Sequence, residues 1–285
     1  MKDYKRGLVL EGGAMRGMFT AGVLDVLMEN GIEFQGVIGV SAGAAFGCNY
    51  KSCQIGRAIR YNTDYCRDKR YCSFWSLLKT GDLYGADFCY REIPEKLDIF
   101  DTETFRNNPV EFYVTVTDVE SGRPLYYRCD KADSRDLELI RASASMPLVS
   151  RIVEVDGKKL LDGGVSDSIP LRFFEEKGFD RNLVILTQPS NYVKNKNSAI
   201  PLAKIMLRKY PKLIEAMKNR HIIYNETLEY IKSKEKMGEV FVIRPEKELP
   251  IKRVEKNPDV LWEVYHTGRS VASKHLDEIR LFLNA

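Results

Sequence analysis

The chain has 285 residues, 44% hydrophobic and 29% charged, with a formal net charge of +4. That balance is ordinary for a folded globular chain and excludes intrinsic disorder, while no run approaches the roughly 18 consecutive apolar residues of a membrane span. Its six cysteines contain no C-x-x-C pair and its three histidines lie far from them in sequence. Reduced thiols and no metal are therefore expected. No organic cofactor is expected either.

In chain order, Leu8 to Leu10 form an apolar run followed by a glycine turn (Gly12, Gly13, Gly17), which predicts strand, turn, helix. The helix has three- and four-residue apolar spacing through Met18, Ala21, Leu24, Leu27 and Met28, and stops at Asn30-Gly31. A second apolar run, Val37-Ile38, leads into Gly39-Val40-Ser41-Ala42-Gly43 and a helix of small residues. This is the layout of a nucleophile elbow, in which a serine on a sharp strand-to-helix turn holds its hydroxyl clear of the sheet. Two such units in succession predict neighbouring parallel strands, with the glycine turn and Ser41 at the same sheet edge. Residues 51 to 108 are aromatic-rich and irregular, readable as a lid or acyl-chain wall or, with at least equal weight, as ordinary core.

Further on, Glu111 to Thr117 reads as a strand, Glu120-Ser121-Gly122 as a turn into Leu125 to Arg128, and Ile140 to Met146 as a helix ended by Pro147. Asp156-Gly157 is a type I′ hairpin signal between Ile152–Val155 and Lys158–Leu161, and its second strand delivers Asp162 to the turn Gly163-Gly164. Asn182 to Thr187 is another buried strand. Two basic helical stretches, Ile200 to Lys218 and Ile222 to Lys236, precede a short strand, Val240 to Ile243, and a last helix. The expected organisation is a catalytic domain over 1–188 and a mostly helical extension, 189–285, packed on it. Residues 194–256 carry 16 Lys or Arg against 8 Asp or Glu. Attraction to an anionic membrane surface is one reading; a solvated helical face is the plainer one and weighs more. No nucleic-acid motif is present.

A serine hydroxyl needs an adjacent base to become a nucleophile. His221, His266 and His275 follow Ser41 and Asp162 in the Ser–Asp–His order of α/β-hydrolases. That fold places several strands before its elbow, however, and here 38 residues precede Gly39. Asp162 acting directly on Ser41 is the favoured reading over a plain Asp-Gly turn. Backbone amides of Gly12, Gly13 and Ala14 would receive the oxyanion, with Ala42 as a further donor. Three rivals are weaker. Ala14 breaks the G-x-G-x-x-G fingerprint of a dinucleotide-binding oxidoreductase. Val40 stands where acyltransferases of acyl-carrier type carry His. A non-catalytic interaction protein would leave the elbow idle. Arg16 either anchors an anion or pairs with a carboxylate.

Gly12-Gly13-Ala14-Met15-Arg16-Gly17, Gly39 to Gly43 and Asp162-Gly163-Gly164 together resemble the patatin-like phospholipase family, over about residues 7 to 175. The resemblance implies a three-layer α/β/α sandwich with a mostly parallel sheet. It also implies a serine lipid acyl hydrolase that cleaves esters through a Ser41–Asp162 dyad and an acyl-enzyme, on a lipid or acyl-ester substrate. Two departures stand out. Ala14 replaces a usual third glycine, and so demands a backbone angle that alanine can adopt. Ser168 stands where relatives often carry Asn. The N-terminus lacks the long apolar region of a signal peptide, so a cytoplasmic protein is expected, with peripheral membrane contact as the role open to the basic segment.

Overall fold

The computed structural model describes residues 4–284. Five parallel strands form its centre: β1 (Arg6–Leu10), β2 (Gly36–Val40), β3 (Glu111–Asp118), β7 (Arg181–Ile185) and β8 (Val240–Ile243), in the spatial order β3-β2-β1-β7-β8. Three antiparallel strands, β4 (Pro124–Arg128), β5 (Val153–Val155) and β6 (Lys158–Asp162), complete an eight-stranded sheet. The hairpin between β5 and β6 turns on Asp156 and Gly157, both at positive φ (51° and 71°), as a type I′ turn requires.

Both faces of the sheet are covered, which is why β1 reads as an unbroken apolar run. Leu8 and Leu10 pack into one cluster with α1 (Gly17–Glu29), α2 (Ala42–Lys51), α6 (Ser134–Ala144), α10 (Pro258–Lys274) and α11 (Leu276–Asn284). Val9 and Ile38 point to the other face, against α7 (Leu171–Glu176) and α9 (Pro211–Lys236). The result is the expected three-layer α/β/α sandwich.

Residues beyond 188 do more than pack on this core. β8 adds a parallel strand beside β7, with Asn182 opposite Val240 and Ile185 opposite Ile243. α10 lies across α1 at backbone contact: a Cβ on Gly268 would stand 2.0 Å from the Phe19 carbonyl oxygen, and one on Gly22 2.1 Å from that of Tyr265.

Several elements differ from the sequence expectation, among them the single last helix, which breaks at His275 into α10 and α11. The two basic stretches resolve into a short α8 (Ile200–Met206) and an α9 that runs unbroken through residues 219 to 221. The helix before Pro147 begins earlier, at Ser134, because the Asp133 side chain caps it by accepting from the Asp136 amide. The stretch 51–108 is chiefly helical: α3 (Arg57–Tyr65), α4 (Phe74–Thr80), a π-helical segment Phe88–Leu97 and α5 (Thr102–Asn107). Proline at position 94 and wide-ring spacing in the π segment hide that periodicity.

Candidate active site

The strand pairing of β3 explains how residues 121 positions apart come together. Tyr113 to Thr115 pair with β2 and also with β4, and Val116 and Thr117 pair with β4 and also with β6. A strand has two edges, so β4 occupies one throughout while β2 and β6 share the other. β2 ends with Val40 opposite Thr115, and β6, arriving from the opposite direction, ends with Asp162 opposite Val116. The two strand tips abut at consecutive residues of β3. Ser41 is the residue after Val40, so the serine and the carboxylate emerge at one point.

Ser41 sits in a left-handed backbone conformation (φ 54°, ψ −120°) between β2 and α2. Such a geometry costs a non-glycine residue of order 1–3 kcal/mol and persists only where the surroundings hold it. Here the Ser41 amide donates to Ser143 Oγ at 2.8 Å, and Ser143 in turn donates to the Thr115 carbonyl at 2.6 Å. Glycine at position 43 lets α2 begin against β1, since a Cβ there would lie 2.5 Å from the Leu10 carbonyl oxygen. Gly39 faces the same constraint from the backbone of Gly43 and Ala44.

Asp162 is buried. Burial pushes its carboxyl pKa above the usual carboxylate value. The nearby Arg220 guanidinium, a hydrogen bond with the Ser41 hydroxyl and one from the Gly164 amide oppose that shift. The Gly164 amide donates to Asp162 Oδ1 at 2.7 Å, so the turn Gly163-Gly164 orients the carboxylate. On the other side, a Cβ on Gly12 would lie 3.0 Å from Ser41 Cβ, which places the glycine loop against the serine. Among the described residues the amides of Gly12, Gly13 and Ala14 make no hydrogen bond to another protein group. Ala14 takes the backbone angle that its position demands, with φ 49°.

Two cavities meet at Ser41. The first, of about 900 Å³ with its open mouth, is mainly apolar and runs between α2, α3, the π-helical segment and α6, lined by Phe46, Tyr61, Tyr90, Ile93, Phe100 and Ile140 among others. The aromatic stretch thus supplies an apolar wall, whereas Phe74, Trp75 and Leu78 of α4 face solvent. The second, of about 700 Å³, is polar and holds Asp162, Glu11, Arg16, Lys194, Arg220 and Arg253. Arg220 also donates from Nε to the Gly164 carbonyl. None of the three histidines lines either cavity. His221 meets the Lys218 carbonyl at 3.0 Å, His266 stacks on Trp262, and His275 pairs with Glu278 at 2.8 Å. Among the described residues no three His, Cys, Asp or Glu side chains are grouped to hold a metal ion.

Several residues at this site carry no sequence motif. Ser143 is one of two serines in an ordinary helix, α6. Glu11 follows β1 and accepts from the Thr187 amide (2.6 Å), Thr187 Oγ1 (3.0 Å) and the Tyr224 hydroxyl (2.5 Å). Lys194, Arg220 and Arg253 belong to the basic segment whose plainer reading was a solvated face. α9 packs over the C-terminal ends of β1 and β7 through Tyr224 and so brings Arg220, and Lys194 held by Asn225, to the cleft, while Arg253 reaches it from the loop before α10.

A family model described as patatin-like phospholipase matches residues 8–174, and one described as a domain of unknown function (DUF6363) matches residues 210–284. The uncharacterized protein YjjU of Escherichia coli K12 is 32% identical over 191 residues, covering 64% of this chain and 52% of that protein. Lysophospholipase NTE1 of Meyerozyma guilliermondii is 29% identical over 183 residues, covering 60% of this chain and 12% of that one. The chain thus spans about half the length of YjjU and far less of the yeast protein. Among solved structures, VipD from Legionella pneumophila superposes with a TM-score of 0.47 at 12% identity, over 96% of this chain and 67% of that one, too loosely to add weight. The patatin match covers more than half of the chain and contains the glycine loop, the serine elbow and the Asp-Gly-Gly turn: this protein belongs to the patatin-like phospholipase family.

Proposed function

We propose that the protein is a serine lipid acyl hydrolase whose nucleophile is Ser41 and whose base is Asp162. The observation that carries this reading is the meeting of β2 and β6 on one edge of β3, beside backbone amides with no other partner. The Asp162 carboxylate takes the hydroxyl proton as Ser41 Oγ attacks the ester carbonyl. Negative charge then collects on the carbonyl oxygen, where the amides of Gly12, Gly13 and Ala14, and that of Ala42 at the start of α2, receive it. Collapse expels the alcohol, which leaves with the proton from Asp162, and an acyl-enzyme remains. Water, deprotonated by Asp162, attacks the acyl carbonyl, releasing the fatty acid and returning the proton to Ser41. A carboxylate suits both transfers when burial raises its basicity, the direction of shift at Asp162. In this reading residues 1–188 form the catalytic domain, and the extension over 189–285 completes its cleft.

No helix among the described residues is long and apolar enough to cross a membrane. We place contact with lipid at a peripheral face around the cleft mouth. There α8 exposes Leu202, Ile205 and Met206 among Lys204, Arg208 and Lys209. Ile200 and Leu207, at the ends of that helix, pack against the same buried cluster, around Leu161, Val165 and Leu213, as do Leu148 and Ile152, which follow the cavity residues Met146 and Pro147 in the chain. Ile205→Glu is expected to weaken sedimentation with anionic vesicles.

Ser41→Ala and Asp162→Asn are each expected to lower hydrolysis of a p-nitrophenyl acyl ester by about 10³ or more without loss of the folded state. His221→Ala, His266→Ala and His275→Ala are expected to stay within a few-fold of the parent. Full activity in Asp162→Asn would remove the dyad, and collapse of one histidine variant would restore a triad.

A further inference from the structure

We infer that the C-terminal segment builds a phosphate site beside Ser41: Lys194, Arg220 and Arg253, with Arg16, receive the anionic phosphate headgroup of an acyl lipid whose chain lies in the apolar cavity. This rests on the reading of Ser41 as nucleophile. An acyl ester carries its chain on one side of the carbonyl and its alcohol on the other. Ser41, Ala14 and Met146 line both cavities, so a carbonyl held at Ser41 directs the chain into the apolar one and the alcohol portion into the polar one.

Charge defines what that alcohol portion carries. The polar cavity gathers four cationic side chains against two carboxylates. One of these is Asp162, reserved for proton transfer in the proposed reaction. The other, Glu11, accepts from Thr187 and Tyr224, and its single charge leaves the cations in excess. Among the described residues none of the four cations forms a salt bridge, although Arg57, Arg141, Arg151 and Lys51 elsewhere all do. Arg16 goes further, since its Nε is buried with no hydrogen-bond partner. Guanidinium groups without carboxylate partners, converging on one pocket, suit a multi-oxygen anion.

The site is also held in place. Asn225 of α9 brackets the Lys194 backbone, accepting from its amide at 2.9 Å and donating to its carbonyl at 3.1 Å. The Lys194 ammonium lies 4.1 Å from the centre of the Tyr224 ring. Burial, joined by repulsion from Arg220, Arg16 and Arg253, pulls its pKa down to about 8, while Glu11 opposes the shift. A bound phosphate would relieve that repulsion, whereas a choline headgroup would bring a further cation to it. Arg220 and Arg253 lie within the segment matched by the domain of unknown function, so headgroup recognition is the role this assigns to it here.

The test uses the full chain carrying Ser41→Ala, which binds without turnover. Its affinities for lysophosphatidic acid, lysophosphatidylcholine, the matching monoacylglycerol and inorganic phosphate are measured by calorimetry below the critical micelle concentrations. Lysophosphatidic acid is expected to bind at least about tenfold tighter than the other two lipids. Adding Lys194→Met and Arg253→Gln should bring that preference below about threefold, and Lys194→Arg should retain it. Equal affinity for the three lipids, or an unchanged preference in the double variant, overturns the proposal. Inorganic phosphate binding as tightly as the lysolipid overturns the lipid source in favour of a free-phosphate site. Because binding is read without turnover, an inactive parent enzyme defeats the Ser41 reading alone. An active parent without headgroup preference defeats only this one.

Discussion

Replacing Arg220 by Met should raise the pH at which the enzyme loses activity on the acid side. Arg220 Nη2 and Asp162 Oδ1 lie 3.2 and 3.0 Å from the same point, the position of a Cβ on Gly164, so they are no more than about 6 Å apart. They form no salt bridge, so the interaction is through space. At about 5 Å, two unit charges interact by roughly 3 kcal/mol at an effective dielectric of 20 and by about 1 kcal/mol in water. Loss of the cation should therefore lift the Asp162 pKa further, in the direction in which burial already pushes it. In the proposed reaction Asp162 works as a base only when ionised, so activity should be present above that pKa and lost as pH falls through it. The assay is kcat/KM for an uncharged, water-soluble p-nitrophenyl ester from pH 4 to 9, with circular dichroism as a check on folding. Arg220→Lys, which keeps the charge, should shift the acid limb less. An acid limb that stays in place in Arg220→Met, or moves to lower pH, would refute the coupling.

Asp162→Asn should also reveal the same burial through stability. A carboxyl whose folded pKa is raised contributes stability below its unfolded pKa and loses it as pH rises through the folded value. The variant should therefore melt at or above the parent temperature at pH 7–8, with the gap closing toward pH 4; a lower melting temperature at neutral pH contradicts this. Ser41→Gly relieves the left-handed strain that Ser41→Ala keeps, and after the entropic cost of glycine it should melt about 2–4 °C above the alanine variant. Equal melting temperatures would show that the elbow stores no strain. Gly268→Ala drives a methyl group into the Phe19 carbonyl and should cost at least about 2 kcal/mol, or about 4–8 °C by calorimetry. A neutral result would mean that α10 is free to move off α1.

The parts that the sequence made legible are those in which local chemistry dictates local shape. Leu8 to Leu10, the elbow around Ser41 and the Asp156-Gly157 turn each announce themselves within a few residues, and the sandwich follows from two strand–helix units in succession. The resemblance to patatin-like proteins then joined Ser41 to Asp162, which pattern alone could not do, because their meeting depends on β2 and β6 sharing one edge of β3. The cationic pocket was hidden for a related reason. Lys194, Arg220 and Arg253 fall in three separate segments of a basic region, and only the tertiary packing that brings those segments together turns them from surface charges into cavity lining. Ser143 and Glu11 likewise acquire meaning only from their partners, the Ser41 amide and Thr187.

The most direct measurement of the dyad is covalent. Incubation with a fluorophosphonate probe, followed by peptide mass spectrometry, should place one adduct on Ser41. The rate should fall by about 10³ or more in Asp162→Asn, and no adduct should form in Ser41→Ala. Labelling of a different residue, or of Ser41 at the parent rate in Asp162→Asn, would contradict the assignment of a serine activated by that carboxylate.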